Sequence, residues 1–296
     1  AVVQGNIEQD KKWDPAYQAE TIGVYTRLTK AAFEQHPDLI IWPETAVPFY
    51  FAGNMPSDRI FTADLIKFVQ QNKVPLLFGS PTYEIKPDRR IVGRNSAFLL
   101  SAEGHIDVYH KIHLVPFGEY VPLKSVLFFV EKMVQAIGDF QSGNEYTVMT
   151  VPGPRGEVKL CTLICYEIIF PDLVRRFVDH GANIVTTVTN DAWFGNTAAP
   201  YQHFSMAVFR AVENRVPVAR AANTGVSGFI DAKGNILDTS NIFTEAYLTR
   251  RIVPGTEKTF YTRFGDIFAY LCVLLTIVLL ANVPKISAKS KTPNSK

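Results

Sequence analysis

Short apolar runs rich in β-branched residues, each closed by a turn signal, recur through the first 260 residues. They are AVVQGNI, DLIIWPE, VPLLFGS, NSAFLLS, IDVYHKIHL, VKLCTLIC, ANIVTTVTN, VPVARAAN and SGFIDAKGNILDT. Several are almost continuous in hydrophobicity, the pattern of strands buried on both faces. Between them stand segments of helical period, Pro15 to Gln35, Ser57 to Asn72, Pro171 to His180 and Gln202 to Arg215. Strand and helix in alternation restrict the chain to an α/β domain whose helices cover a mixed sheet. AEGH at 102–105 and AKGN at 232–235 are polar, glycine-containing links of the kind that close hairpins.

One segment departs from the alternation. Val121 to Ile137, VPLKSVLFFVEKMVQAI, is too apolar for a solvent-facing loop. It fits equally a helix packed on the core and an apolar arm or lid that touches lipid. The segment at 50–56 and this one are the two expected to open for substrate.

The far end of the chain is apolar on every side. From Phe264 to Val283 only Asp266 carries charge, and roughly 20 helical residues reach about 30 Å, the thickness of a bilayer core. The sequence therefore predicts a membrane helix over 263–284, preceded by a catalytic-sized domain over 1–262 and followed by a basic tail over 285–296. Four basic residues precede the helix (Arg250, Arg251, Lys258, Arg263) and four follow it (Lys285, Lys289, Lys291, Lys296). The leading four belong to a folded domain, which translocates regardless of charge, so the short basic tail orients inward and the domain outward. The opening AVVQGNIEQD carries no charged-then-apolar leader, and the expectation is a processed chain or a portion of a longer one.

Composition removes other classes. A net charge of +2 on 296 residues provides no field for nucleic acid, so none is expected as a partner. Cys161, Cys165 and Cys272 make no disulfide framework: on one strand Cys161 and Cys165 stand roughly 13 Å apart, beyond the reach of a bridge. His110 and His113 form a lone pair without companions, and no spacing calls for a metal.

Chemistry in such sheets gathers at the carboxyl ends of strands. Three of these ends carry polar groups unsuited to a core. Glu44 follows an apolar run in LIIWPET, Lys111 ends or interrupts a strand in VYHKIHLVPFGEY with Glu119 in the loop behind it, and Cys165 closes the strand of LICYE. Each alone has an ordinary explanation: a surface or capping carboxylate, an exposed strand charge, a loop acid, a small core hydrophobe. Together they make up the parts of an acyl-transfer site. A carboxylate in a dry pocket can take the thiol proton, and a fixed cation with a main-chain N–H can hold the negative oxygen of the tetrahedral intermediate. The lysine charge also favours the thiolate. A cysteine–histidine dyad drawn from His113 or His203 is the competing arrangement, although the aromatic, proline-bounded setting of His203 suits a hydrogen-bonded scaffold better.

The motifs WPETAVP, YHKIHLVPFGEYVP, LCTLICYEIIFPD and NDAWFGNTAAPYQHFSMAVFRAVENRVPVARAANTGVSG, with TFYTRFGD before the apolar helix, closely resemble the apolipoprotein N-acyltransferase family. This is the membrane-bound branch of the nitrilase, or carbon–nitrogen hydrolase, superfamily, and the resemblance runs over residues 1 to 285. It implies a nitrilase-like four-layer αββα sandwich followed by one C-terminal transmembrane helix. Glu44, Lys111 and Cys165 match the family's catalytic residues. Glu119, Tyr166, Glu167 and Trp13 match its supporting or substrate-contacting ones.

The resemblance further implies a ping-pong reaction with no metal and no diffusible cofactor. An acyl chain passes from a phospholipid to the cysteine as a thioester, and then to the N-terminal amine of a diacylglyceryl-cysteine lipoprotein. The implied place is the bacterial inner membrane, with the catalytic domain on its periplasmic side and the tail in the cytoplasm. Family members carry further membrane helices ahead of this domain, hence the expectation of a portion of a longer chain. A nitrilase or amidase that hydrolyses the same acyl-enzyme is the alternative, and a membrane-anchored scaffold with a decayed site is a third reading.

Overall fold

The computed structural model describes residues 1–53, 55–120, 140–154 and 156–281. Its strands are β1 (Val2–Gln4), β2 (Ile40–Ile41), β3 (Leu76–Ile85), β4 (Ile91–Leu100), β5 (Ile106–His110) and β6 (Val148–Gly153), followed by β7 (Gly156–Ile164), β8 (Ile184–Thr189), β9 (Val218–Ala222), β10 (Gly228–Ile230), β11 (Ile236–Thr239) and β12 (Ala246–Leu248). The helices are α1 (Gln9–Lys12), α2 (Gln18–Ala32), α3 (Pro56–Asn72), α4 (Pro171–Asp179), α5 (Ala199–Asn214), α6 (Phe260–Phe264) and α7 (Ile267–Ala281).

Two six-stranded mixed sheets result, in the orders β12-β1-β2-β3-β4-β5 and β11-β10-β9-β8-β7-β6. Each has a parallel centre, β1-β2-β3 in one and β7-β8-β9 in the other, with antiparallel strands outside it. Strand alternation sets the layers. Leu77 of β3 belongs to an apolar cluster shared with the second sheet, while its neighbours Leu76 and Phe78 join Tyr25 and Leu28 of α2 and Leu65 and Val69 of α3. On the far side, Leu173 and Phe177 of α4 and Phe204 and Ala207 of α5 pack with Leu163 and Val185. The layers therefore run helix, sheet, sheet, helix.

The run IDVYHKIHL stops being a strand at His110. The Lys111 N–H still bonds Asn95 O at 2.9 Å, but those of Ile112 and His113 turn to a carboxylate oxygen of Glu167. Losing the ladder there frees the chain to carry Lys111 inward. The sequence runs omitted β6, which contains Pro152 and Gly153, and β12, only three residues long.

By contacts the chain divides into Ala1–Arg263 and a second unit from Phe264. The membrane helix expected over 263–284 is described only as far as Ala281. Gly265 adopts φ +64° and separates α6 from α7, and the main-chain oxygen of Asp266 accepts from Tyr270 N at 3.0 Å as α7 begins. The 15 residues of α7 span about 22 Å. Among the described residues no helix is long and apolar enough to cross a membrane. Residues 282–284, the tail at 285–296 and the apolar segment 121–137 lie outside the described residues. Of the segment at 50–56, Phe51 is buried edge-on against Phe78 and Phe98, and its N–H bonds Ser80 Oγ at 3.2 Å.

Candidate active site

Cys165 is the first residue after β7 and opens a 3₁₀ turn, Cys165–Ile169, with φ +55°. A left-handed cysteine is uncommon and costs backbone energy, so the surroundings must hold it. They do so from behind. His203 Nε2 lies 3.2 Å from the Cys165 carbonyl oxygen, and His203 Nδ1 lies 2.9 Å from Asp191 Oδ1. Asp191 Oδ2 accepts from Arg220 at 2.8 Å, and all three side chains are buried. Burial would raise the Asp191 carboxyl, but Arg220 and His203 outweigh it and hold its pKa at about 2. Burial, followed by the Arg220 charge, lowers His203 below the usual histidine range. Burial also pushes the Cys165 thiol up to about 12, with Glu44 and Asp191 adding to the rise while Lys111 and a hydrogen bond from Thr189 oppose it.

Glu44 follows β2 and is 8% exposed. One carboxylate oxygen accepts from Asn95 Nδ2 at 2.8 Å and the other from the Asn190 N–H at 2.9 Å, so its orientation is fixed from both sheets. The next residue, Thr45, has φ +50°, a strained conformation for a β-branched side chain. Gly79 on β3 permits this close approach: a Cβ there would stand 2.6 Å from Thr45 N and 2.7 Å from Glu44 Cα.

Lys111 is 1% exposed. Its ammonium lies 3.0 and 2.8 Å from the two oxygens of Glu119, and Glu119 also accepts from Val115 N at 2.8 Å. The Asn95 amide nitrogen donates to Glu119 at 2.7 Å as well as to Glu44, bridging the two acids. Burial would lower the pKa of Lys111, yet Glu44, Cys165, Glu119 and Glu167 together raise it above the ordinary lysine value. Glu44, Lys111 and Cys165 thus sense one another electrostatically.

Glu167 is wholly buried. It accepts from Tyr109 Oη at 2.8 Å, Ile112 N at 2.7 Å, His113 N at 3.0 Å and Ile164 N at 2.8 Å. The carboxylate therefore clamps the residues on both sides of the lysine and the cysteine. Trp13 and Tyr166 are 38% and 40% exposed, each next in sequence to a buried polar residue of the site. His113 stacks on Phe170 at 4.5 Å.

Sequence reasoning missed Lys12, Asn95, Asn190 and Asp191. Lys12 is 1% exposed and its ammonium donates to the Glu44 carbonyl oxygen at 2.8 Å. Its signal was a lysine directly before Trp13; those of Asn190 and Asp191 were polar residues closing a threonine-rich strand. Among the described residues, no group of three or more His, Cys, Asp and Glu is arranged to hold a metal ion.

Two stacked mixed sheets between helices, with a cysteine, two glutamates and a lysine at strand ends, define a nitrilase-like α/β protein. An amidase from Nesterenkonia sp. AN1, whose structure carries acrylamide added at its active site cysteine, superposes with TM-score 0.59 at 19% identity, over 92% of this chain and 97% of that one. A Saccharomyces cerevisiae member of branch 10 of the nitrilase superfamily gives 0.57 at 20% identity, over 81% and 84%. The chain belongs to the carbon–nitrogen hydrolase family, whose model matches residues 1–260. Apolipoprotein N-acyltransferase of Geobacter metallireducens is 46% identical over 95% of this chain and 53% of that protein. The Haemophilus influenzae enzyme of that name is 35% identical over 94% of this chain and 52% of its own length. The chain spans about half the length of the curated relatives it matches.

Proposed function

We propose that this chain performs the thiol chemistry of an apolipoprotein N-acyltransferase, with Glu44 as base, Lys111 as oxyanion partner and Cys165 as nucleophile. Glu44 takes the proton from Cys165 Sγ, and the sulfur attacks the ester carbonyl of a phospholipid. The oxygen that gains charge is met by the Lys111 ammonium and an N–H of the turn after Cys165. Glu44 returns the proton to the departing lysophospholipid, leaving a thioester. The N-terminal amine of a diacylglyceryl-cysteine lipoprotein then attacks the thioester and gives up a proton to Glu44, which passes it to the sulfur. Glu119 and Glu167 support Lys111 and the turn, while Trp13 and Tyr166 contact substrate. The observation that carries this reading is the bonded network at the ends of separate strands: Asn95 joins Glu44 to Glu119, Glu119 holds Lys111, and the N–H of Asn190, at the end of the β8 strand that lies beside β7 and Cys165, fixes Glu44.

The identity to transferases over nearly the whole of this chain favours an amine over water as the second acceptor. We also propose that residues 1–262 form the catalytic domain on the periplasmic side of a bacterial inner membrane, held by a span over 263–284 with the 285–296 tail inside. The exposed leucines 271, 274 and 275 of α7, each 58% exposed, support this. Labelling Cys272 with a membrane-impermeant thiol reagent in sealed vesicles tests the span, which predicts protection until detergent is added.

The central test is intact mass spectrometry after incubation of the membrane-reconstituted chain with phospholipid. The reading expects a fatty-acyl increment, absent in Cys165→Ala, that a diacylated lipopeptide discharges. An adduct that water clears at the same rate would make the chain a hydrolase. No adduct with any lipid or amide donor would leave it a scaffold.

A further inference from the structure

The site holds a second buried lysine that the steps above do not use. Lys12, the last residue of α1, is 1% exposed and donates to the main-chain oxygen of Glu44 at 2.8 Å. A buried ammonium without a counter-charge is costly, so its presence requires an anion close by. Among the described residues no carboxylate pairs with Lys12 directly. The anions it senses are Glu44 and then Cys165, which counter part of the fall that burial imposes on its pKa, to about 8.

The other charges facing the site have bonded partners. Lys111 is held by both oxygens of Glu119 and shares its charge with Glu44 and Cys165, so Lys12 is the second cation on that pair, while Asp191 is bonded to Arg220 and His203. Burial raises the pKa of Glu167, which is satisfied by four donors. Glu44 and Cys165 remain. When the proton moves from sulfur to carboxylate, an S–H bond breaks, an O–H bond forms, and the negative charge shifts from oxygen to sulfur. The pair carries one negative charge before and after. In a dry pocket that charge survives only if a cation offsets it; otherwise the pair takes up a second proton and the thiol has no base.

We infer that Lys12 is a positioning residue for the Glu44–Cys165 pair: its ammonium keeps the pair at one shared proton and sets the pH below which the thiol can no longer be activated. The inference deepens the acyl-transfer reading and rests on Glu44 being the base.

The test is the rate of Cys165 alkylation by iodoacetamide against pH, followed by peptide mass spectrometry, which needs no lipid. Lys12→Gln keeps a donor toward the Glu44 carbonyl but removes the charge, whereas Lys12→Arg keeps both. The acid limb of Lys12→Gln should move up by about one pH unit or more, with Lys12→Arg restoring it. An unmoved limb in Lys12→Gln, accompanied only by lower stability, would reduce Lys12 to a backbone anchor and overturn the inference. Should Lys12→Gln not fold, the coupling can be read in reverse. The Lys12 ammonium, followed by NMR of carbon-labelled lysine, should titrate at lower pH in Glu44→Gln than in wild type, and an equal pKa in the two would overturn it as well. A wild-type alkylation profile in Glu44→Gln would instead sink the assignment of Glu44 as base. Intact alkylation behaviour without lipid transfer would sink the transferase reading alone.

Discussion

Lys111 meets Glu119 with a single ammonium in reach of both carboxylate oxygens, at 3.0 and 2.8 Å, in a position where the lysine is 1% exposed. Removing one partner of such a pair leaves a buried charge unmatched, at a cost of roughly 3 kcal/mol or more. Glu119→Ala should therefore lower the free energy of urea unfolding by about 3 kcal/mol and remove acyl-enzyme formation. A change below about 0.5 kcal/mol would show that the ion pair does not hold the lysine.

The Asn95 amide nitrogen uses its two hydrogens on two acids, Glu44 and Glu119. Asn95→Asp would put a third carboxylate between them, and like charges raise carboxylate pKa values. The variant should lose about 100-fold in acylation rate at pH 7, with the acid limb of its pH profile moved upward. Asn95→Leu, which adds no charge but removes both donors, should slow the reaction and move that limb upward by less.

Glu167→Gln should act on folding before chemistry. One of its oxygens accepts three hydrogen bonds and the other one. Whichever way the amide is turned, its NH₂ faces at least one buried N–H, each such conflict costing roughly 1–3 kcal/mol. Thermal unfolding should fall by several degrees. Unchanged stability with lost activity would instead give Glu167 a direct part in the reaction.

Acid should loosen the support behind Cys165. The Asp191 carboxyl lies near pH 2 in the fold, below its ordinary value of 3.8. Its stabilisation, about 2 kcal/mol, is complete above pH 4 and disappears as pH falls toward 2. His203 is also depressed in the fold, so below its ordinary pKa of 6.5 the unfolded chain binds its proton first, and stability again falls with pH. Arg220→Leu removes the charge that holds Asp191 down and should shift the acid unfolding midpoint upward; an unmoved midpoint would count against this network.

Trp13 and Tyr166 are far more exposed than these buried groups. At 38% and 40% exposure, their replacement by alanine should leave the unfolding free energy within about 0.5 kcal/mol. An effect on the concentration of phospholipid needed for half-maximal acylation, with the limiting rate less changed, is the expected signature of substrate contact. Loss of stability would make them structural.

The candidate residues most legible in the sequence are Glu44 and Lys111, where a charge ends an apolar run, and Glu119 one loop further on; Cys165 alone reads as a small hydrophobe and stands out only beside them and through the family motif. Asn95 does not, because asparagine at the start of NSAFLLS reads as an ordinary turn residue and its two hydrogen bonds appear only when the sheet sets β4 between β3 and β5, within reach of Glu44 and Glu119. Lys12 sits in KKWDP among exposed polar residues, and only the descent of α1 onto the Glu44 loop buries it. Strand β6 gave no run because Pro152 and Gly153 break its pattern, although its partner β7 follows directly, and β12 is only three residues long with its partner β1 distant in sequence. Apolar composition also gave no sign of the break at Gly265, whose left-handed backbone separates α6 from α7.

β12 adds to the free edge of β1, with Val2 opposite Leu248, and Asn6, Ile7 and Tyr25 all bond Asn223. During synthesis the first strand therefore leaves the ribosome more than 200 residues ahead of the partners that fix it. Such distant closure is slow and leaves an unpaired strand edge exposed while translation continues. A truncated translation product ending before Asn223 lacks the residue that bonds Asn6, Ile7 and Tyr25, and with it part of what sets the opening segment against the second sheet.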